Sequence, residues 1–395
     1  MRCELSDICV YRNERISTNA LNSHTYVSTE NMLPDKGGIT DAASLPTVSQ
    51  TSKFKQGDTL VSNIRPYFKK IWFAEYDGGC SNDVLVFSAK TGVDPKYLYY
   101  VLANDSFFAY STATSKGTKM PRGDKNSIMQ YQIEKLDYPT QKKIAAILSA
   151  LDEKIAINRA INENLERQAM ALFKEWFIDN PDILSWQKGT FSELIEKTIS
   201  GDWGKETLSG SNTEMVYCIR GADIPEVRTG NKGKMPIRYI LPKNFIAKQL
   251  VAGDIVVEIS GGSPTQSTGR AAAISKALLA RYDKGMVCTN FCKALKPIDG
   301  YSMFVYHYWQ YLYEKGVFFS YENGTTGIKN LDINGFIETE SILIAPKEMV
   351  RKFDAVCQSI FSKIYANGLE NEELALLRDT LLSKLMSGEI DVSTV

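Results

Sequence analysis

Gln141-Lys-Lys-Ile-Ala-Ala-Ile-Leu-Ser-Ala-Leu-Asp-Glu-Lys-Ile155 opens a run that continues to Phe177, and apolar residues recur in it every three or four positions. Heptads begun at Ile144 place Ile144, Leu151, Asn158, Leu165 and Leu172 at a. They place Leu148, Ile155, Asn162, Ala169 and Trp176 at d. Such a stripe predicts a long helix that pairs with another helix. A partner stands in the same chain. Shifted by 209 positions, Leu151 falls on Ile360, Lys154 on Lys363, Asn158 on Asn367, Asn162 on Asn371 and Leu172 on Leu381. The second helix is predicted from about Lys347 to Met386. Each helix of about 35 residues is about 50 Å long.

The asparagines bear on orientation. Asn158, Asn162, Asn367 and Asn371 fall at the midpoints of the two stripes. Polar residues in an apolar seam cost stability but fix register and partner. An antiparallel pair sharing one midpoint would let the four amides satisfy one another. A parallel pair would align them too, but would put both flanking domains at one end. The plainer alternative is that the amides face solvent. Gly368, inside the second helix, points to a kink or a close contact there.

Outside the helices the chain repeats more loosely. Gly57-Asp58 before a strand returns as Gly253-Asp254, Cys80-Ser-Asn-Asp83 as Cys288-Thr-Asn-Phe291, Gly117-Thr118 as Gly324-Thr325, and Pro139 as Pro346. Thr59–Ile64 and Val84–Phe87 have strand character, and Pro95–Tyr110 that of one amphipathic helix. The expected class is α+β. Two mixed α/β domains, 1–139 and 181–346, are followed by helical spacers at 140–180 and 347–395. The long helices form an antiparallel coiled coil between the domains, in a pseudo-two-fold repeat. A spacer of that length suits two sites about one 34 Å turn of duplex DNA apart. Order and spacing persist while side chains differ, as expected of one scaffold with two recognition surfaces. Duplication without a shared role is the competing account.

Composition narrows the class. The 395 residues are 44% hydrophobic and 23% charged with zero net charge, ordinary for a soluble protein and unlike a DNA-coating one. The start lacks a signal-like apolar run, and no stretch is long and apolar enough to span a bilayer. The seven cysteines are scattered, and Cys288 and Cys292 suit core thiols better than metal ligands. The expected location is the cytoplasm. With only His24 and His307, a histidine triad or zinc site has little material. Gly261-Gly-Ser-Pro-Thr-Gln-Ser-Thr-Gly269 lacks the Gly-Lys-Ser/Thr ending of a phosphate loop. Asn180-Pro-Asp-Ile183 lacks the second proline and the aromatic residue of an amino-methyltransferase motif. No catalytic, cofactor or metal residue is assigned.

The candidate reading surface lies in loops. Lys116, Lys119, Arg122 and Lys125 cluster in one loop of the first half, and Arg65 and Lys69, next to Pro66 and Tyr67, form a second cluster. Arginine can grip guanine and lysine can hold phosphates. In the second half the counterpart loop is Asn323-Gly-Thr-Thr-Gly-Ile-Lys-Asn330, whose hydroxyl and amide groups can read base edges, and the candidates are Trp203, Arg220, Arg228, Ser260, Gln266, Arg270, Thr325, Thr326 and Lys329. A solvated surface is the competing account for each.

The run Gln141–Phe177 resembles the central conserved region of type I restriction–modification specificity subunits. Leu376-Leu-Arg-Asp-Thr-Leu-Leu-Ser-Lys-Leu-Met-Ser-Gly-Glu-Ile390 resembles their distal conserved region. The resemblance implies two target-recognition domains, each reading half of a split, asymmetric double-stranded DNA sequence. It implies helices that dock two methyltransferase subunits, and two motor/nuclease subunits in the restriction complex. S-adenosylmethionine, ATP and base flipping would belong to those partners, so this chain itself is expected to be non-catalytic. Two rival accounts stay open: a methyltransferase or nuclease with diverged motifs, and a two-headed protein-binding scaffold.

Overall fold

The computed structural model describes residues 2–261, 266–324 and 327–392. They form two compact units. One comprises 1–154 with 374–395, the other 155–373, so the division falls inside both long helices.

The two units are built alike. In the first, an antiparallel sheet runs in the order Cys9–Tyr11, Val84–Ala89, Thr59–Ser62, Ile71–Phe73. In the second the order is Ile195–Ser200, Cys292–Pro297, Ile255–Glu258, Ala271–Ala273. A parallel pair stands beside each: Tyr26–Val27 with Gly78–Cys80, and Glu214–Ile219 with Met286–Cys288. A two-stranded ribbon leads to each long helix, Arg2–Glu4 with Gln132–Glu134 and Gln187–Thr190 with Ser341–Ile344. The repeated Gly-Asp turns are equivalent in detail. Gly57 and Gly253 have φ of 89° and 99°, where a side chain would be strained. The Asp58 and Asp254 carboxylates accept from the backbone N–H three residues back, at 2.8 and 2.9 Å. Each then binds a cation, Arg12 at 2.6 Å and Lys296 at 2.7 Å.

The segment Pro95–Tyr110 is not one helix. It breaks at Asn104, whose extended backbone (ψ 138°) ends helix Pro95–Ala103 and whose side chain caps helix Asp105–Ala113 at Ser106 N. Asparagine competes for the backbone this way, and propensity alone does not show it. The counterpart Ser302–Glu314 is unbroken.

The first long helix spans Tyr138–Phe173 and ends in a π-turn, Lys174–Ile178; the second spans Lys347–Met386. Their partners run in opposite senses within each unit. In the second unit Asn158 meets Asn371, Asn162 meets Asn367, and Phe173 meets Phe353. In the first, Asp152 meets Arg378 at 2.7 Å and the Lys143 ammonium donates to the Val392 carbonyl. The pairing is therefore antiparallel. The buried stripe departs from the heptad frame at its ends: Phe173, Phe177 and Leu382 are buried, while Leu172, Trp176 and Leu381 are half-buried. A 3.6-residue turn drifts about 20° per heptad against a 3.5 repeat, which moves the seam by one residue.

The amides pair two by two. Asn158 Nδ2 donates to Asn371 Oδ1 at 3.0 Å and to Glu370 Oε2 at 2.8 Å. Asn367 Nδ2 donates to Asn162 Oδ1 at 2.8 Å, and Asn162 Nδ2 donates to the Ile364 and Thr229 carbonyls at 3.0 Å. All four are at most 6% exposed, so each bond is made out of water, where an unmade one is costly.

Gly368 makes the close contact. A Cβ there would lie 1.9 Å from the Gly230 carbonyl oxygen, and a Cβ on Gly230 would lie 2.4 Å from that of Ile364. The loop Thr229-Gly230 thus rests directly on the helix backbone. Arg281 donates to the Gly230 carbonyl at 2.6 Å and holds Glu372 of the helix. In an exposed helix, glycine to alanine would gain about 1 kcal/mol. Here Gly368→Ala is expected to cost about 1–3 kcal/mol through backbone overlap. A thermal melt of the variant checks this, and a raised midpoint would refute the contact.

Candidate nucleic-acid interface

In the first unit, backbone bonds gather three segments. The Asn63 N–H donates to the Asp83 carbonyl at 2.8 Å, and the Gly123 N–H donates to the Asn63 carbonyl at 3.1 Å. Ile64 bridges Arg122, which bridges Lys116 in turn. The Arg65 N–H donates to the Pro121 carbonyl at 2.8 Å. Arg65, Lys116 and Arg122 therefore share one surface. Asp83 steadies the Arg122 guanidinium at 3.1 Å. Asp124 caps helix Lys125–Met129 and takes the Lys116 ammonium. Those bonds, Lys116 first, pull its carboxyl down to about 2. Lys119 is exposed. Lys125 edges a cavity of about 360 Å³ with Arg12, Arg15 and Asn82. Arg15 donates to Asn82 at 2.9 Å.

Lys69 turns elsewhere. It and Lys36 both hold Asp105, each at 3.0 Å. Asp35, Lys36, Arg65 and Lys69 all have positive φ between 50° and 61°. Two backbone bonds, Asp35 N to the Phe68 carbonyl and Lys36 N to the Lys69 carbonyl, tie these strained loops together. The pair leaves Tyr67 and Phe68 exposed.

In the second unit the equivalent bonds recur. The Ile259 N–H donates to the Phe291 carbonyl at 2.9 Å, and the Leu331 N–H donates to the Ile259 carbonyl at 2.8 Å. Ser260 pairs Asn330, which pairs Asn323. Ser260 Oγ donates to Asn330 Oδ1 at 2.6 Å. Beside this platform lies a cavity of about 480 Å³ walled by Trp203, Arg220, Glu258, Ser260, Asn290 and Phe291. Arg238 stacks 3.6 Å over the Trp203 ring. Arg220 is fixed bidentately on Asp223 at 2.9 and 3.0 Å, and Arg270 on Glu258 at 2.7 Å twice. Lys329 binds Glu322 at 3.1 Å. Gln266 is exposed beside Tyr313. Thr325 and Thr326 lie outside the described residues.

Arg228 is elsewhere. It packs against the first long helix, with Glu166 3.7 Å away, on a cavity of about 650 Å³ that Tyr306 and His307 also line. The loop position of Arg228 gave no hint of this, because the turn after it, Thr229-Gly230, folds onto the helices. Asp83, Asn82 and Phe291 were missed as site residues, and Asn330 was anticipated only as part of the loop Asn323–Asn330. The repeat offset that aligns Cys80–Asp83 with Cys288–Phe291 could have found the first three.

The scaffold is therefore a duplicated α+β recognition platform with paired helices, and its two surfaces differ in chemistry. Residues 2–167 match the family model "Type I restriction modification DNA specificity domain". A type I restriction enzyme MjaIX specificity subunit from Methanocaldococcus jannaschii is 28% identical over 77% of this chain and 71% of its own length. The HindI specificity subunit from Haemophilus influenzae is 25% identical over 98% of both chains. A solved type I restriction-modification S subunit from M. genitalium shares the fold at a TM-score of 0.54 and 16% identity, over 100% of this chain and 96% of that one. The chain is thus similar to type I restriction–modification specificity subunits along nearly its whole length, and its residues 2–167 to their DNA specificity domain. Among the described residues no helix is long and apolar enough to cross a membrane.

Burial of His307 gives a pH signature. Desolvation pushes its imidazole down to about 4, although its bond to the Met303 carbonyl opposes this. Between pH 6.5 and about 4 the unfolded chain takes up a proton at this site that the folded chain refuses. Stability is therefore complete above 6.5 and falls as pH drops through that window, by at most about 3 kcal/mol from this group. Denaturant melts should show that His307→Gln loses less stability than the parent between pH 7 and 5. Parallel losses would contradict the assignment.

Proposed function

We propose that this chain selects the DNA sequence on which a type I restriction–modification complex acts. Each unit reads one part of a split, asymmetric duplex target. Methyltransferase subunits, two per complex, supply S-adenosylmethionine and the base chemistry. Motor/nuclease subunits, again two, supply ATP-driven restriction. The setting is the cytoplasm.

The observation that supports this reading is the repeated platform. Backbone bonds 83–63–123 in one unit and 291–259–331 in the other build the same three-segment surface. The side chains on it differ, Lys116, Arg122 and Asp83 against Asn323, Asn330 and Phe291. A chain binding one symmetric partner would gain nothing from unlike copies. Exposed apolar residues on the helices offer a surface for partner subunits. They are Ile157, Ile161 and Leu369 in the second unit, and Leu376 and Leu377 in the first.

Modified bases should be mapped by long-read sequencing in cells with and without the gene. The expected gain is one methylated motif of two unlike parts separated by unspecified bases. A gene-dependent motif that is continuous, or no gene-dependent motif, would refute the reading.

A further inference from the structure

The register of the two platforms identifies which residues occupy the same place. Asn63 and Ile259 are the central residues: each donates its N–H to one neighbour and accepts through its carbonyl from the other. Asp83 therefore corresponds to Phe291. Gly123 corresponds to Leu331. The residue before each, Arg122 or Asn330, bridges the same two neighbours, Ile64 and Lys116 in one unit and Ser260 and Asn323 in the other. Two side chains thus flank each centre, exposed Arg122 with half-buried Asp83, and exposed Asn330 with exposed Phe291.

Both pairs carry a readable chemistry. The Arg122 guanidinium is oriented by Asp83, at 3.1 Å, yet its side chain stays more than half exposed at 57%. A guanidinium held this way presents the fork that matches guanine O6 and N7. Asn330 is oriented by Ser260, which donates to its Oδ1. A carboxamide matches adenine N6 and N7, and an apolar ring such as Phe291, 62% exposed, matches the thymine methyl.

We propose that this one scaffold position is a base reader in both units. Arg122, braced by Asp83, reads the guanine of a G·C pair. Asn330 and Phe291 together read an A·T pair, one on each base. The assignment rests on the DNA-recognition reading above and names the residues that would set the two halves apart.

The test uses the full chain assembled with its methyltransferase subunit, on duplex libraries randomised one position at a time. Arg122→Ala should relax preference at a single G·C position in one half, by roughly 5- to 150-fold, and leave the other half unchanged. Asn330→Ala and Phe291→Ala should each relax one shared A·T position in the opposite half. A uniform loss over all sequences, with the salt slope falling by about one, would make these residues phosphate contacts and overturn the proposal. Unchanged preference with Arg122→Ala, or with both second-unit variants, would also overturn it. If the unmodified complex selects no DNA sequence, the broader functional reading fails instead.

Discussion

Four buried amides set the pairing of the long helices. Asn158 with Asn371, and Asn162 with Asn367, make their bonds where water cannot replace them. A slip of one residue would leave donors and acceptors stranded, at about 1–3 kcal/mol each. Apolar residues would tolerate such a slip more easily. The amides therefore contribute register and direction more than raw stability. Thr229 and Gly230 extend the same constraint, because Asn162 also binds the Thr229 carbonyl and Gly368 admits Gly230 against the helix. In this way the second unit's globular part is fixed to its helices by backbone contact. The first unit uses an ion pair for the equivalent purpose, with Arg378 on Asp152 and the Tyr100 hydroxyl donating to Asp152 at 2.7 Å.

On that fixed base, the platforms are free to differ. Their geometry comes from backbone bonds, which any side chain can make. The three segments meet at Asn63 or Ile259 whether the flanking residues are charged, amide or aromatic. What changes is the set of groups offered to a partner. The first platform is ionic and self-braced, with Arg122 on Asp83 and Lys116 on Asp124. The second sets an amide and two aromatic rings around a cavity walled by Arg220, already bound to Asp223, and by Glu258, already bound to Arg270.

Much of the fold was legible because it rests on periodicity and repetition. The apolar stripe, the asparagines in it and the Gly-Asp turns gave the helices, the duplication and the class. Where the reading slipped, the reason is physical. The heptad frame misplaced Phe173, Phe177 and Leu382 by one residue through helical drift. Pro95–Tyr110 hid a break because Asn104 acts through a side-chain cap rather than through hydrophobic pattern. The reading surface was legible as loops but not as contacts. Arg220, Arg228 and Arg270 look alike in sequence, and only the fold shows that each faces a particular carboxylate. Asn330 was legible only as the end of an amide-rich loop, because its place comes from strand register with Ser260, some seventy residues earlier.

A double-mutant cycle on Asn162 and Asn367, each replaced by leucine, measures the central constraint most directly. Each single change strands a buried amide, while the double change removes both partners of that bond. The predicted result is a double variant more stable than the sum of the single losses, by about 0.5–3 kcal/mol in denaturant unfolding. Strictly additive losses would contradict the account, because they would mean that the two amides do not act on each other.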